Sequence, residues 1–461
     1  MATKVPTEIL IKILNNLQSS PSTQDLYSSL LVNRIWCKVT IPILWELPFG
    51  RECFGYDKKL SKKALCIRTY ISCMDTQARN LLIQNGFDLS SSPPQATFNY
   101  PSFTHKFIIN NLVYFISKYS KHIIGKKIFE LRILFREISR LIITRCSFLN
   151  YFKLARVSVN YSSNYSDSIN SFLKLPGAPK VFKKLESFTS TIGNEHPIGP
   201  LYESLILICD NILNMDLFLG SEARTKLSTK LISVQKRLEN LSLSANNYLN
   251  FNSLLWAIIS QKETLKSLHL KFISFKNFEG KSSQIGQFTS LQELYIKDCY
   301  ELHKSECLFL ASSFTQLSSF HFIRICDVPQ EFIIKILETA NSNLKNICLE
   351  LYSAISFEIF SAILNYCTRI TELTLYGLSS EQVIAIFNNN FNDLRRFRFY
   401  CREEEIDATE LLYKMAENVP ESFETIEIRM KNGDLRIFSA NSLRNFSKGG
   451  VVVKEEEEIK N

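Results

Sequence analysis

Glycine and proline are scarce in this chain of 461 residues, with 14 and 13 copies, roughly half of average usage. Few glycines leave few flexible linkers and few backbone cradles for phosphate, and no Gly-x-Gly pair occurs. Gly280-Lys281-Ser282 has the closing residues of a phosphate loop, but Phe275 stands where its first glycine belongs. The 12 cysteines contain no Cys-x-x-Cys pair, and several (Cys209, Cys326, Cys348, Cys367) sit inside apolar runs. That is the usage of small buried hydrophobes in a reducing compartment, not of a disulfide scaffold. The six histidines form no His-Glu-x-x-His, and His303 and Cys307 lie one helical turn apart with no second pair to complete a zinc site. No run of about 18 residues is free of charged and polar breaks, so no spanning helix is expected. Lys12 interrupts the only early apolar stretch, Ile9 to Leu14, which excludes a signal peptide there. The expectation is a cytoplasmic or nuclear protein that is not an enzyme, without cofactor, metal or membrane partner.

What is present is a folded composition, 45% hydrophobic and 21% charged, with 34 Phe and 18 Tyr to supply buried area. The net charge of +9 is spread thinly, with small clusters at Lys58-Lys59, Lys62-Lys63 and Arg395-Arg396-Phe397-Arg398 and an acidic end at Glu455 to Glu458. Solvated faces explain that pattern better than a nucleic-acid partner.

A pattern apolar-x-x-apolar-x-apolar recurs through the second half. It runs Leu238-Leu241-Leu243, Leu265-Leu268-Leu270, Leu291-Leu294-Ile296 and Leu317-Phe320-Phe322. It continues as Leu344-Ile347-Leu349, Ile370-Leu373-Leu375, Leu394-Phe397-Phe399 and Phe423-Ile426-Ile428. Successive starts differ by 27, 26, 26, 27, 26, 24 and 29 residues. Looser copies lie upstream at Ile212-Met215-Leu217, at Leu185-Phe188 and at Leu154-Val157-Val159. Alternation at the last two apolar positions predicts a short strand with one buried face. Helical spacing fills the intervals, as in Phe332, Ile333, Ile336 and Leu337 or Leu254, Leu255, Ile258 and Ile259. One strand and one helix per turn of about 26 residues resembles a leucine-rich repeat, in which units stack because none buries its apolar side alone. Asn246 and Cys299 occupy the repeat's ninth position and are expected to satisfy backbone groups at the turn after the strand.

The expected fold class is therefore α/β: parallel strands on a concave side, helices on a convex side, over about eight to ten repeats spanning 151–446. Residues between the buried pairs would form an outward ladder of Asp216, Ser242, His269, Tyr295, His321, Cys348, Thr374, Arg398 and Glu427, flanked by Tyr376, Arg396 and Tyr400. Tyrosine and arginine are the usual anchors of an interface. The expected target-binding set is His269, Tyr295, His321, Tyr376, Arg396, Arg398 and Tyr400, the target itself being an unidentified protein. Residues 49–150 read as a helical connector and cap, with a loop at Ser91-Ser92-Pro93-Pro94, and 447–461 as an acidic, solvated tail. The run Glu403-Glu404-Glu405 reads as solvated charge.

Residues 1–48 differ in character. Pro6 suits a helix start and Glu8 complements its dipole. Ile9, Leu10, Ile13, Leu14 and Leu17 then form an apolar stripe. A polar break precedes Asp25-Leu26, Leu30, Leu31 and Trp36, and Pro42-Ile43-Leu44-Trp45 closes the segment. These residues carry more apolar surface than fifty positions can bury, which implies a partner. The set Val5-Pro6-Thr7-Glu8-Ile9-Leu10, Asp25-Leu26, Val32-Asn33-Arg34-Ile35-Trp36 and Leu44-Trp45 resembles the F-box. Val5 replaces the usual Leu, Asn33 stands where Cys is frequent, and the Gln18–Gln24 loop is longer than usual. The resemblance implies docking onto the Skp-family adaptor of a cullin–RING ubiquitin ligase through Pro6, Ile9, Leu10, Ile13, Leu14, Leu26, Leu30, Trp36 and Trp45. It further implies a non-catalytic receptor that brings a target to the ligase. A plain scaffold, with the bundle only capping the repeats, is the alternative.

Overall fold

The last two residues of each of the eight triplets from Leu238 to Ile428 lie on a strand. The computed structural model describes residues 5–18, 24–50, 60–89, 95–123, 128–155, 169–170, 172–191, 198–245, 252–275, 288–302, 305–325, 330–389, 391–401, 408–416, 418–429 and 435–446. Asn246, Gly280 to Ser282, His303, Cys326, Glu403 to Glu405, Ser91 to Pro94, Val157, Val159, Lys58, Lys59 and the tail from 447 lie outside the described residues. The chain forms two compact units, one of residues 1–218 with 234–236 and one of residues 219–233 with 237–461.

The first unit begins with α1 (Thr7–Gln18), α2 (Gln24–Ser29) and α3 (Arg34–Trp45). Pro6 opens α1 by accepting hydrogen bonds at its carbonyl from the Ile9 and Leu10 amides. Asn33 caps α3, its side-chain oxygen taking hydrogen bonds from the Ile35 and Trp36 amides at 2.9 and 3.0 Å. The short polar residue at position 33 therefore has a local structural reason. Next come α4 (Leu60–Ser72), α5 (Thr76–Gln84), β1 (Lys106–Ile108), α6 (Ile109–Ile123), α7 (Ile128–Arg145), β2 (Tyr151–Leu154), β3 (Ser187–Ser190) and β4 (Asn214–Phe218).

Strands β1 to β4 pair in parallel in chain order. Phe107, Phe152 and Phe188 occupy the same register position on consecutive strands, and their rings stack at 6.3 and 6.0 Å. The span expected to be only helical thus contributes a strand, β1, and the sheet begins ahead of residue 151. Both early strands carry the repeat spacing, as Thr104-Phe107-Ile109 and Leu149-Phe152-Leu154, all fully buried. Leu154, the first residue of the looser triplet Leu154-Val157-Val159, ends β2.

The second unit holds β5 (Asn240–Ser244), β6 (Ser267–Lys271), β7 (Glu293–Lys297), β8 (Ser319–Ile325), β9 (Asn346–Leu351), β10 (Glu372–Leu378), β11 (Arg396–Cys401), β12 (Thr425–Arg429) and β13 (Leu435–Ser439). Neighbours from β5 to β12 are parallel. The last strand, β13, runs antiparallel to β12 and departs from the repeat. Successive units are tied by one recurrent bond just ahead of each strand. The amides of Gln292, Ser318, Lys345 and Thr371 donate to the carbonyls of Lys266, Gln292, Ser318 and Lys345 at 2.7 to 2.8 Å.

In each of β5 to β9, two buried Leu, Ile or Phe residues two positions apart alternate with half-buried or exposed ones. Helices with the expected periodicity cover the inward face. Phe332, Ile333, Ile336 and Leu337 of the Gln330–Ala340 helix are all fully buried, as are Leu254 and Leu255 of Asn252–Ile259. Cys299 lies buried at its turn and its thiol reaches the carbonyls of Leu270 and Lys297 at 3.5 and 3.4 Å, the backbone role expected of the ninth position.

Candidate interaction surfaces

The expected site residues fall on two surfaces, one in each unit. In the first, the stripe of α1 splits in two. Leu10, Leu14 and Leu26 are at most 1% exposed and form a closed core with Leu17, Trp36, Val39, Ile43 and Leu44 packed against it. These three leucines act by holding the bundle together, because their side chains present no area to a partner. Trp45 is half-buried, its ring 4.4 Å from Tyr100 and 5.7 Å from Tyr70, and Leu30 and Trp36 are half-buried too.

The outward half of the stripe remains open. Ile9 and Ile13 are 50% and 43% exposed, and Pro6 lies exposed at the helix start. Leu31, at 88%, and Val32 and Ile35 are open in and after the turn between α2 and α3. Leu31, Val32 and Ile35 were legible in the sequence as apolar residues next to the stripe, yet periodicity alone did not mark that turn as bare.

In the second unit, strand register aligns Ser242, His269, Tyr295, His321, Cys348, Thr374, Arg398 and Glu427 as partners on consecutive strands, all on the face opposite the helices. Asp216 belongs to β4 of the first unit, where it partners Thr189. Two groups of side chains stand out along this row.

The first centres on Tyr295. Its ring lies 5.1 Å from His269 and 5.8 Å from His321, with the Lys271 ammonium 5.4 Å above it. Glu293 accepts a hydrogen bond from the Ser267 hydroxyl at 2.9 Å. His269 Nε2 sits 3.2 Å from Glu293 Oε1, at an ion-pair distance but without hydrogen-bond geometry. Burial alone would raise the Glu293 carboxyl; the Ser267 hydroxyl and His269 outweigh it and bring the group below the usual glutamate range. Burial pushes the His321 imidazole down and the Tyr295 phenol up.

The second group centres on Tyr376 and Tyr400, stacked at 5.1 Å and 17° on β10 and β11. Arg429 lies 6.0 Å from the Tyr400 ring. Arg396 pairs with Glu372, and Arg398 grips both oxygens of Glu427, so these two expected anchors are already committed to carboxylates on neighbouring strands. Gly377 makes the bulge that follows Tyr376: its φ is +76°, and register slips between Tyr376 and Leu378.

The surfaces offer stacking, charge and hydrogen bonding. Among the described residues, no group of three or more His, Cys, Asp or Glu side chains could hold a metal ion, and no helix is long and apolar enough to cross a membrane. Cys348 sits mid-row, but burial pushes its thiol up to about 11, away from the range of a nucleophile.

No family model matches the chain, and no curated protein matches it. Among solved structures, the leucine-rich-repeat-containing protein LegL7 from Legionella pneumophila is similar, with 12% identity and a TM-score of 0.35. The match covers 58% of this chain and 92% of that one.

Proposed function

We propose that this chain is a two-ended, non-catalytic receptor. In this reading the α1–α3 bundle docks onto a Skp-family adaptor of a cullin–RING ubiquitin ligase, and the outer strand face of the second unit holds a target protein. The observation that carries it is the divided stripe of α1: a sealed leucine core beneath Ile9 and Ile13, which remain half open although apolar. A helix that only capped its own chain would turn both halves inward; an open apolar row beside the bare Leu31–Val32 turn suits a partner surface. The chemistry belongs to another protein. Holding one end on the ligase and the other on the target raises the local concentration of target lysines near the transferring enzyme.

Co-expression with a Skp-family adaptor tests this. The wild-type pair co-elutes as one complex, and Ile9→Asp with Ile13→Asp abolishes it while the chain keeps its melting transition. If the wild-type pair never co-elutes, the chain is a repeat-based scaffold without a ligase.

A further inference from the structure

Lys271 and Lys297 are direct register partners on β6 and β7. Like charges facing each other across strands are destabilising, so this pair costs stability unless an anion offsets it. Both are half-buried, and among the described residues neither makes an ion pair. The nearest carboxylates on the same strands are occupied. Asp298, at the turn after Lys297, binds Arg324 at 3.0 Å, and Glu293, at the other end of β7, is taken by Ser267 and His269. Lys271 already leans over Tyr295, which leaves its ammonium beside an aromatic face. Beyond Lys297 the next register partner is the apolar Ile323.

We propose that the Lys271–Lys297 pair, with Tyr295 beside it, binds an acidic peptide segment of the partner protein, a carboxylate settling between the two ammonium groups. The inference rests on the reading that the outer strand face is a binding face, and names the chemistry it selects. Two ammonium groups on adjacent strands, without a carboxylate partner among the described residues, repel each other, and an anion settling between them removes that repulsion and adds two attractions. Tyr295 supplies a flat apolar floor for the stem of the acidic side chain. At the other end of β6 and β7 stand the register partners Ser267 and Glu293, and the Glu293 carboxylate there repels an acidic side chain toward the lysines.

The test uses the full chain and a fluorescein-labelled hexaglutamate peptide, read by anisotropy at low salt. Binding is expected, with affinity falling as salt rises, and Lys271→Gln with Lys297→Gln is expected to weaken it at least fivefold without moving the melting transition. Hexaglutamine should not bind. Unchanged affinity in the double variant overturns the assignment, as does tighter binding of a twenty-nucleotide oligothymidine, which would make the site one for nucleic acid. Binding that appears only after residues 447–461 are removed also overturns it, because the chain's own acidic end would then be the occupant. Failure here with a co-eluting adaptor leaves the receptor reading standing; peptide binding without adaptor leaves an acidic-peptide scaffold.

Discussion

Leu14 and Ile9 lie on one helix five residues apart, and the structure assigns them opposite roles. Leu14 is fully buried against Leu10 and Leu26, while Ile9 is half open. Leu14→Ala removes three buried carbons and costs about 3 kcal/mol, within the range for core leucines. Ile9→Ala removes three carbons that are only half covered, which at about 0.8 kcal/mol per buried carbon comes to about 1 kcal/mol. The bundle is small, so its opening is read by amide hydrogen exchange of α1 and α3. With tenfold per 1.4 kcal/mol, Leu14→Ala should speed exchange of the protected α1 amides by about a hundredfold, and Ile9→Ala by no more than about fivefold. Adaptor capture should invert the order when corrected for folded fraction: Ile9→Ala loses affinity, Leu14→Ala loses only folded bundle. A Leu14→Ala variant whose α1 amides exchange within threefold of wild type would refute the division of the stripe.

Gly377→Ala should destabilise the second unit by at least about 2 kcal/mol, since a left-handed conformation costs an L-residue about 1–2 kcal/mol. The added Cβ also meets the Ala354 Cα at 2.8 Å, so backbone must shift; an unchanged urea midpoint would contradict this. Burial, helped by His269, pushes the His321 imidazole down against the pull of Glu293 and Glu372. Its folded pKa lies below its unfolded one, so the unfolded chain binds the extra proton, and its contribution is complete above about pH 6.5 and lost as pH falls from there. Urea midpoints between pH 7.5 and 5.5 should therefore drop more for wild type than for His321→Gln, and parallel curves would refute it. Burial pushes the thiols of Cys209, Cys299 and Cys367 up to about 12. None of the three should be labelled by iodoacetamide at pH 8 until the chain unfolds, as mass mapping of labelled peptides would reveal.

Eight strands were legible because Leu, Ile and Phe recur at i, i+3 and i+5 with a nearly constant period, and stacking demands that period. Phe107 and Phe152 obey the same spacing, but the stretch from one to the other is far longer than 26 residues, so no period pointed to β1. Strand β13 was illegible for a different reason: it pairs antiparallel on β12 and ends the repeat instead of continuing it. Outward positions such as His269, Tyr295 and Arg398 followed from alternation alone. What alternation could not reveal is pairing, since the Arg398–Glu427 and Arg396–Glu372 bridges depend on which strands stand side by side. The same limit applied to α1, where the stripe gave the apolar residues and packing decided that Leu10 and Leu14 turn in while Ile9 and Ile13 turn out. The F-box resemblance placed Trp45 among the adaptor contacts; Tyr70 and Tyr100, far along the chain, come to rest on it, a packing that its neighbours in sequence do not reveal.

The account stands on the open row of the bundle being covered by an adaptor, and hydrogen exchange with purified Skp-family adaptor tests that directly. Added adaptor should slow exchange in α1 and in the Leu30–Asn33 turn at least tenfold, while β5 to β12 exchange as before. Unaltered exchange in α1 at saturating adaptor, or protection confined to the strands of the second unit, would contradict it.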